Sequence, residues 1–302
     1  MTPLTAPGRE PDTSGTAATG EATAECRIWS LPPLSRPADW FRLLDSGELA
    51  RCSGFLRERD LARFVTGRVL ARTALARLCG TEPEAVRLRT RCPGCGGAHG
   101  KPRALGAAAR WELSLTHSGD VVALGVTDGY PLGLDVERLD DPRPGPTGTT
   151  TGSESETGIG SGSGTGTETA LPCDSGLSHE SGLSHESGLP PGYELVLTAA
   201  ERAALLRLPR EERARGLLTY WTRKEAVLKA TGEGLNTPMD SFTVSAPDRA
   251  PALLGRCADL RPRTALADLD LGPGYRGAVA VIGAGAVRVR MRPGTELIAP
   301  RR

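Results

Sequence analysis

An α+β fold is the class this sequence predicts, and three observations lead there. Strand-like runs follow one another at residues 111–115, 121–126 and 131–137, before any helix intervenes. Two strongly helical runs stand well apart, over 56–79 and around 221–229. Neither half shows the regular strand–helix–strand rhythm of a parallel sheet.

Taken in order, residues 1–25 are rich in Thr, Ala and Gly and read as a disordered tail without a signal-peptide pattern. Residues 29–50 read as a strand and a short helix, punctuated by Pro32, Pro33 and Pro37. The 56–79 helix carries an apolar stripe through Leu61, Phe64 or Val65, Val69, Leu75 and Leu78. Its other side carries Arg59, Arg63, Arg68 and Arg72, either a solvated face or a set of phosphate partners. From 142 to 191 the chain collapses into Gly, Ser, Thr, Glu and Pro, with Ser-Gly-Leu-Ser-His-Glu repeated in tandem. Such a tract buries too little apolar surface to offset its ordering entropy, and reads as a disordered insert. Thr198 and Glu201 fit a capping box opening a helix over 198–208. The helix around Trp221 stops near Gly232 and Gly234, and residues 242–291 read as strands and turns.

Composition narrows the function. The formal net charge is +1, which gives no bias toward nucleic acid or an anionic membrane. No apolar stretch approaches the ~20 residues of a membrane helix. Seven cysteines, an odd number scattered over a long chain, point to the reducing cytoplasm rather than a disulfide framework. Cys92, Cys95 and His99 resemble half a zinc knuckle, but a second ligand pair at suitable spacing is missing, so a thiol-bearing turn is preferred.

Two charged segments carry the chemistry. Asp135 and Glu137 sit at i and i+2 of a strand and so share a face, ~7 Å apart. Trp221, Glu225 and Lys229 recur every four residues on one helix face. Taken singly, each is as consistent with exposed surface charge. Their apolar flanks, Leu132, Leu134 and Val136 on one side and Leu217, Leu218, Val227 and Leu228 on the other, embed them in core. Charges in that setting need a partner or a metal. If the two faces meet, three carboxylates and an ammonium converge, a set suited to Mg²⁺ and a phosphorylated substrate. The run Leu113-Ser114-Leu115-Thr116-His117-Ser118-Gly119 ends a strand in phosphate-competent donors, with Lys101 upstream.

In this order, Gly100-Lys101-Pro102, Thr116-His117-Ser118-Gly119, Gly133-Leu134-Asp135-Val136-Glu137 and the 221–229 run Trp-Thr-Arg-Lys-Glu-Ala-Val-Leu-Lys resemble the phosphopantetheinyl transferase superfamily. The resemblance is to its longer, monomeric surfactin-synthetase type, and covers about residues 55–275 apart from the insert. It implies a pseudo-twofold monomer of two similar α+β halves, residues 26–130 and then 131–141 with 192–292, followed by a 293–302 tail. Coenzyme A would lie in the cleft between the halves. The family moves 4′-phosphopantetheine from coenzyme A to a serine of apo carrier proteins of fatty-acid, polyketide or nonribosomal peptide synthesis, releasing 3′,5′-ADP. By position, the resemblance implies that Asp135, Glu137 and Glu225 hold Mg²⁺ (or Mn²⁺) on the pyrophosphate, and that Lys229 sits near the reacting phosphate. It also implies Glu201 as general base, and Arg63, Lys101, Thr116 and His117, with Arg51 a weaker match, at the 3′-phosphate and adenosine end. A non-catalytic coenzyme A or nucleotide-binding regulator on the same fold is the alternative, and a zinc-dependent nucleic-acid module a third.

Overall fold

The computed structural model describes residues 22–91, 96–97, 100–139, 189, 192–232, 237–255 and 263–298. Among the described residues, the two larger sheets are antiparallel-rich and each is covered by a 22-residue helix. The first sheet contains β1 (Thr23–Leu31), β4 (Trp111–Ser118), β5 (Val121–Asp128) and β9 (Ala286–Pro293), in the order β4-β5-β1-β9. The second contains β6 (Leu132–Arg138), β7 (Thr264–Asp268) and β8 (Tyr275–Ile282), in the order β6-β8-β7. A small ribbon pairs β2 (Leu88–Thr90) with β3 (Pro102–Ala104). The α+β class is therefore as expected.

Strand alternation builds three layers of contact. Trp29, Leu31, Leu113, Val122, Leu124 and Val126 point to one side, where Leu70, Ala71, Ala74 and Leu75 of α2 (Glu58–Cys79) close over them. Cys26, Ile28 and Ala123 point to the other side and meet Leu132, Leu134, Val136, Val279 and Val281 of the second sheet. The outer face of that second sheet carries Ala278 and Ala280, covered by α4 (Arg210–Thr231) through Ala226, Val227 and Ala230. Full burial of each such aliphatic side chain contributes roughly 1.5–3 kcal/mol, so the Asp135 strand lies between two apolar layers. Both long helices end at a left-handed glycine, Gly80 (φ 67°) and Gly232 (φ 80°).

Several elements differ from expectation. Thr23, Ala24 and Glu25, placed in the tail, already belong to β1, where pairing with β9 orders them. β9 runs parallel to β1 in the first sheet, so the C-terminal segment crosses back into the N-terminal half. Residues 295–298, assigned to a tail, form the short helix α5 (Thr295–Ile298), whose Leu297 and Ile298 pack beneath α2. Arg68 and Arg72 are buried rather than solvated, because Glu48 of α1 (Ser46–Cys52) pairs with both, at 3.1 and 2.7 Å. Residues 194–197, read as ordered before the next helix, begin as a single 3₁₀ turn at Tyr193–Leu195. Within the low-complexity tract only Leu189 is described, and it is fully buried in the α4 core. The rest of that insert, most of the N-terminal tail, and Cys92, Cys95 and His99 lie outside the described residues.

Candidate active site

Strand β6 and helix α4 place the charged side chains. Leu132, Leu134 and Val136 fill the core between the sheets, which turns Gly133, Asp135 and Glu137 toward α4. Gly133 permits close approach: a Cβ there would stand 1.9 Å from Ala226 O and 2.4 Å from Ala230 N. The helix therefore lies backbone-on-backbone against the strand, and Lys229 Nζ reaches Asp135 Oδ1 at 2.6 Å. Glu225, one turn earlier on α4, is 5% exposed and couples electrostatically to Asp135 and Lys229.

The electrostatics describe one cluster. Burial, then Asp135, pushes the Glu137 carboxyl up to about 7, against the pull of Ser118 and Lys229. Burial raises Glu225 as well, opposed by Lys229. For Lys229, burial pulls downward, but Asp135 and Glu225 together hold the ammonium above its ordinary value. Two buried oxygens in the cluster, Asp135 Oδ2 and Glu225 Oε1, have no hydrogen-bond partner among the described residues. A buried carboxylate oxygen with nothing to accept is costly, and a hard divalent cation satisfies it. The chemistry of these donors thus fits a hard divalent cation. Among the described residues no three acidic, His or Cys side chains already stand as a gripping metal set; Lys229 holds the Asp135 Oδ1 lone pair instead.

The remaining expected site residues divide. Lys101 comes to the start of β6, its Nζ donating to Leu132 O at 2.7 Å and lying 3.7 Å from Glu112. Burial pulls its ammonium down to about 8, with Glu112 opposing. His117 is exposed at the end of β4, beside the 118–120 turn. Arg63 donates twice to Gly119 O, at 3.2 and 2.8 Å, and once to Asp60, so it braces that turn. Arg51 is exposed with its guanidinium over the Phe64 ring at 5.1 Å, and Arg68 lies over the same ring at 5.1 Å.

Two roles read from the sequence meet a different environment. Thr116, expected on a phosphate, is 7% exposed, and its hydroxyl accepts from Val136 N and donates to Asp135 Oδ1, both at 3.3 Å. Glu201, expected as a base, is 2% exposed and does cap α3 (Ala199–Leu206) as the capping box requires. Its carboxylate also takes Val244 N at 2.8 Å and Lys224 Nζ at 2.6 Å. Three donors on two oxygens make Glu201 a joint between α3, α4 and the 239–244 segment, and the structure does not bring it to the Asp135 cluster. Lys224 and Arg223, undistinguished in the sequence reading, are both fully buried. Arg223 grips Asp268 with two bonds, at 2.9 and 2.6 Å, and the carbonyls of Ser245, Ala246 and Arg249.

Comparison with known proteins bears on this arrangement directly. Residues 187–280, which hold α3, α4, β7 and most of β8, match the family model described as the 4′-phosphopantetheinyl transferase superfamily. The chain is similar to the 4′-phosphopantetheinyl transferase HetI of Nostoc sp., 28% identical over 267 residues, 86% of this chain and 89% of HetI. A more distant likeness is to the 4′-phosphopantetheinyl transferase psf-1 of Bacillus pumilus, 24% identical over 220 residues, 73% of this chain and 71% of psf-1. The chain is thus similar to enzymes of the 4′-phosphopantetheinyl transferase superfamily, in the matched segment and in both relatives. The likeness to HetI spans both halves, so the β4 and β6 motifs fall within it as well as α4. Among the described residues, no helix is long and apolar enough to cross a membrane.

Proposed function

We propose that this enzyme transfers 4′-phosphopantetheine from coenzyme A to a serine of an apo carrier protein in a Mg²⁺-dependent reaction, releasing 3′,5′-ADP. The observation that carries the reading is the meeting of Asp135, Glu137, Glu225 and Lys229 where β6 and α4 touch, with Asp135 Oδ2 and Glu225 Oε1 unsatisfied. When bound, a divalent cation would supply charge neutralisation to the phosphates of the substrate. Asp135, Glu137 and Glu225 would hold it, and Lys229 would pass from Asp135 to a phosphate oxygen. Such a transfer depends mainly on positioning and electrostatic stabilisation, which a fixed carboxylate set and one mobile ammonium provide. Lys101 and His117, with Arg63 and Arg51 behind them, would take the 3′-phosphate end.

The finer architecture belongs to the same proposal: two similar halves, each a sheet under a 22-residue helix ended by a left-handed glycine, with coenzyme A between them. β4 of one half and β6 and α4 of the other supply the site within a single chain, which favours a monomer, placed here in the cytoplasm. The carriers are proposed to be acyl or peptidyl carrier domains of fatty-acid, polyketide or nonribosomal peptide synthesis. The test is the intact mass of such an apo carrier after incubation with enzyme, coenzyme A and Mg²⁺. A gain of one phosphopantetheine arm that a chelator abolishes is expected; no gain on any carrier type, despite coenzyme A binding, would move the reading to a non-catalytic coenzyme A-binding regulator.

Lys101 gives this reading a pH signature. Its ammonium is protonated below about 8, and only the charged form attracts phosphate. Coenzyme A affinity is therefore expected to fall as pH rises through about 8, and Lys101→Met is expected to flatten that step. For the free protein the sign is opposite. A lysine held below its unfolded value penalises the fold below about 8, and the penalty fades as pH climbs toward the unfolded pKa. Calorimetric titration of coenzyme A across pH 7–9 reads the first, and denaturation of the free protein from pH 7 to above 10 reads the second.

A further inference from the structure

Strand β4 carries a hydroxyl at every second residue, Ser114, Thr116 and Ser118, all on one face. β6 is an edge of its own sheet, and its outward N–H groups need acceptors. The three hydroxyls supply them: Leu134 N donates to Ser114 Oγ at 3.0 Å, Val136 N to Thr116 Oγ1 at 3.3 Å and Arg138 N to Ser118 Oγ at 3.0 Å. Side chains here replace the carbonyls of a regular ladder, and they join the edge of one sheet to the edge of the other.

A hydroxyl that accepts still has its own proton to donate. Thr116 gives it to Asp135 Oδ1 at 3.3 Å, and Ser118 gives it to Glu137 Oε2 at 2.8 Å. The same step along the register from Ser114 leads to Gly133, which has no side chain. The three rungs are thus alike toward the backbone of β6 and unlike toward the site. Two hold carboxylates and one does not.

We propose that Ser118 and Thr116 are positioning residues of the active site, whose hydroxyls orient Glu137 and Asp135 for the divalent cation. The proposal deepens the transferase reading and rests on its assignment of those carboxylates to the cation. One oxygen of each carboxylate is fixed from β4, so rotation of the side chain is stopped and the second oxygen stays available. Hydrogen-bond partners of metal ligands commonly matter by about 10–100-fold in affinity. The ladder also makes cation binding depend on how the two halves sit against each other, because the ligands lie in one and their orienting groups in the other.

Ser114 is the internal control. Mn²⁺ affinity in the presence of coenzyme A, by calorimetry or electron paramagnetic resonance, is compared for the wild type, Ser114→Ala, Ser118→Ala, Ser118→Thr and Thr116→Val. Thermal unfolding is followed in parallel. Ser114→Ala and Ser118→Ala each lose one acceptor for a β6 N–H and are expected to lower the unfolding temperature alike. Only Ser118→Ala is expected to weaken Mn²⁺, by roughly tenfold, with Ser118→Thr restoring most of the loss. Thr116→Val, close in shape, supplies a second arm should Ser118→Ala not fold, and is expected to weaken Mn²⁺ too. Equal Mn²⁺ affinity in Ser114→Ala, Ser118→Ala and Thr116→Val would overturn the positioning role while leaving the cation assignment standing. A wild type that binds no Mn²⁺ with coenzyme A present would overturn the cation assignment, and the proposal with it.

Discussion

Gly133→Ala is expected to remove the proposed active site and much of the stability together, from a single added methyl. The new Cβ would lie 1.9 Å from Ala226 O, 2.4 Å from Ala230 N and 2.8 Å from the Lys229 carbonyl carbon. All three are backbone atoms of α4, so no side chain can rotate away, and the helix itself must retreat by an ångström or more. Ala278 and Ala280, opposite Asp135 and Gly133 on β8, complete a floor of small residues on which the helix sits. Overpacking a core of this kind typically costs ~1–3 kcal/mol, and the rigidity of the obstructing backbone places this case at or beyond the upper end. The retreat also opens the 2.6 Å contact between Lys229 and Asp135. Chemical denaturation should show the loss, and any folded fraction should bind Mn²⁺ and coenzyme A poorly. Gly274→Ala, where a Cβ meets nothing within 4 Å, should behave as wild type. A Gly133→Ala protein of unchanged stability and full coenzyme A affinity would mean that the helix–strand contact is not as close as described.

The convergence at that contact was legible because each half of it is a local periodicity. Period two puts Asp135 and Glu137 on one face, period 3.6 stacks Glu225 on Lys229, and the apolar flanks of both bury them against something. What the sequence could not show is what each polar group meets across a long separation. Thr116 read as a phosphate donor because a hydroxyl beside a histidine at a strand end looks exposed; its neighbour is Asp135, nineteen positions later. The alternation of Ser114, Thr116 and Ser118 was visible and could have signalled a ladder, had an unpaired strand edge been known to lie opposite. Arg68 and Arg72 read as either a solvated face or phosphate partners, because their actual partner Glu48 comes from another helix. Glu201 is legible as half of a capping box, yet the buried ammonium of Lys224 that fills its other lone pairs depends on the docking of α3 on α4. The parallel pairing of β9 with β1 joins the two ends of the chain, and no local pattern carries that information.

Asp135→Asn is expected to separate activity from stability. Asp135 is 2% exposed, one oxygen bound to Lys229 and Thr116 and the other without a partner among the described residues. An unsatisfied buried carboxylate oxygen opposes folding, and its repulsion of Glu137 and Glu225 opposes it further. Removing the charge while keeping the shape therefore relieves as much as it forfeits. Lys229, with 27% of its side chain exposed, can turn to Glu225 or to solvent. The unfolding temperature should stay level or rise. Activity should not: in the proposed reaction the transition state needs every charge that holds the cation and phosphates in line. Loss of such a group commonly costs ~3–4 kcal/mol in the rate, a factor of 10²–10³. The mutant should also bind Mn²⁺ weakly, and coenzyme A less tightly in its presence. Carrier-loading rates read beside a melting curve decide the matter. A stable mutant that loads carrier within a few-fold of wild type would exclude Asp135 from holding the cation, whereas a mutant that is merely unfolded would show that the Lys229 pair is needed for the fold before it is needed for chemistry.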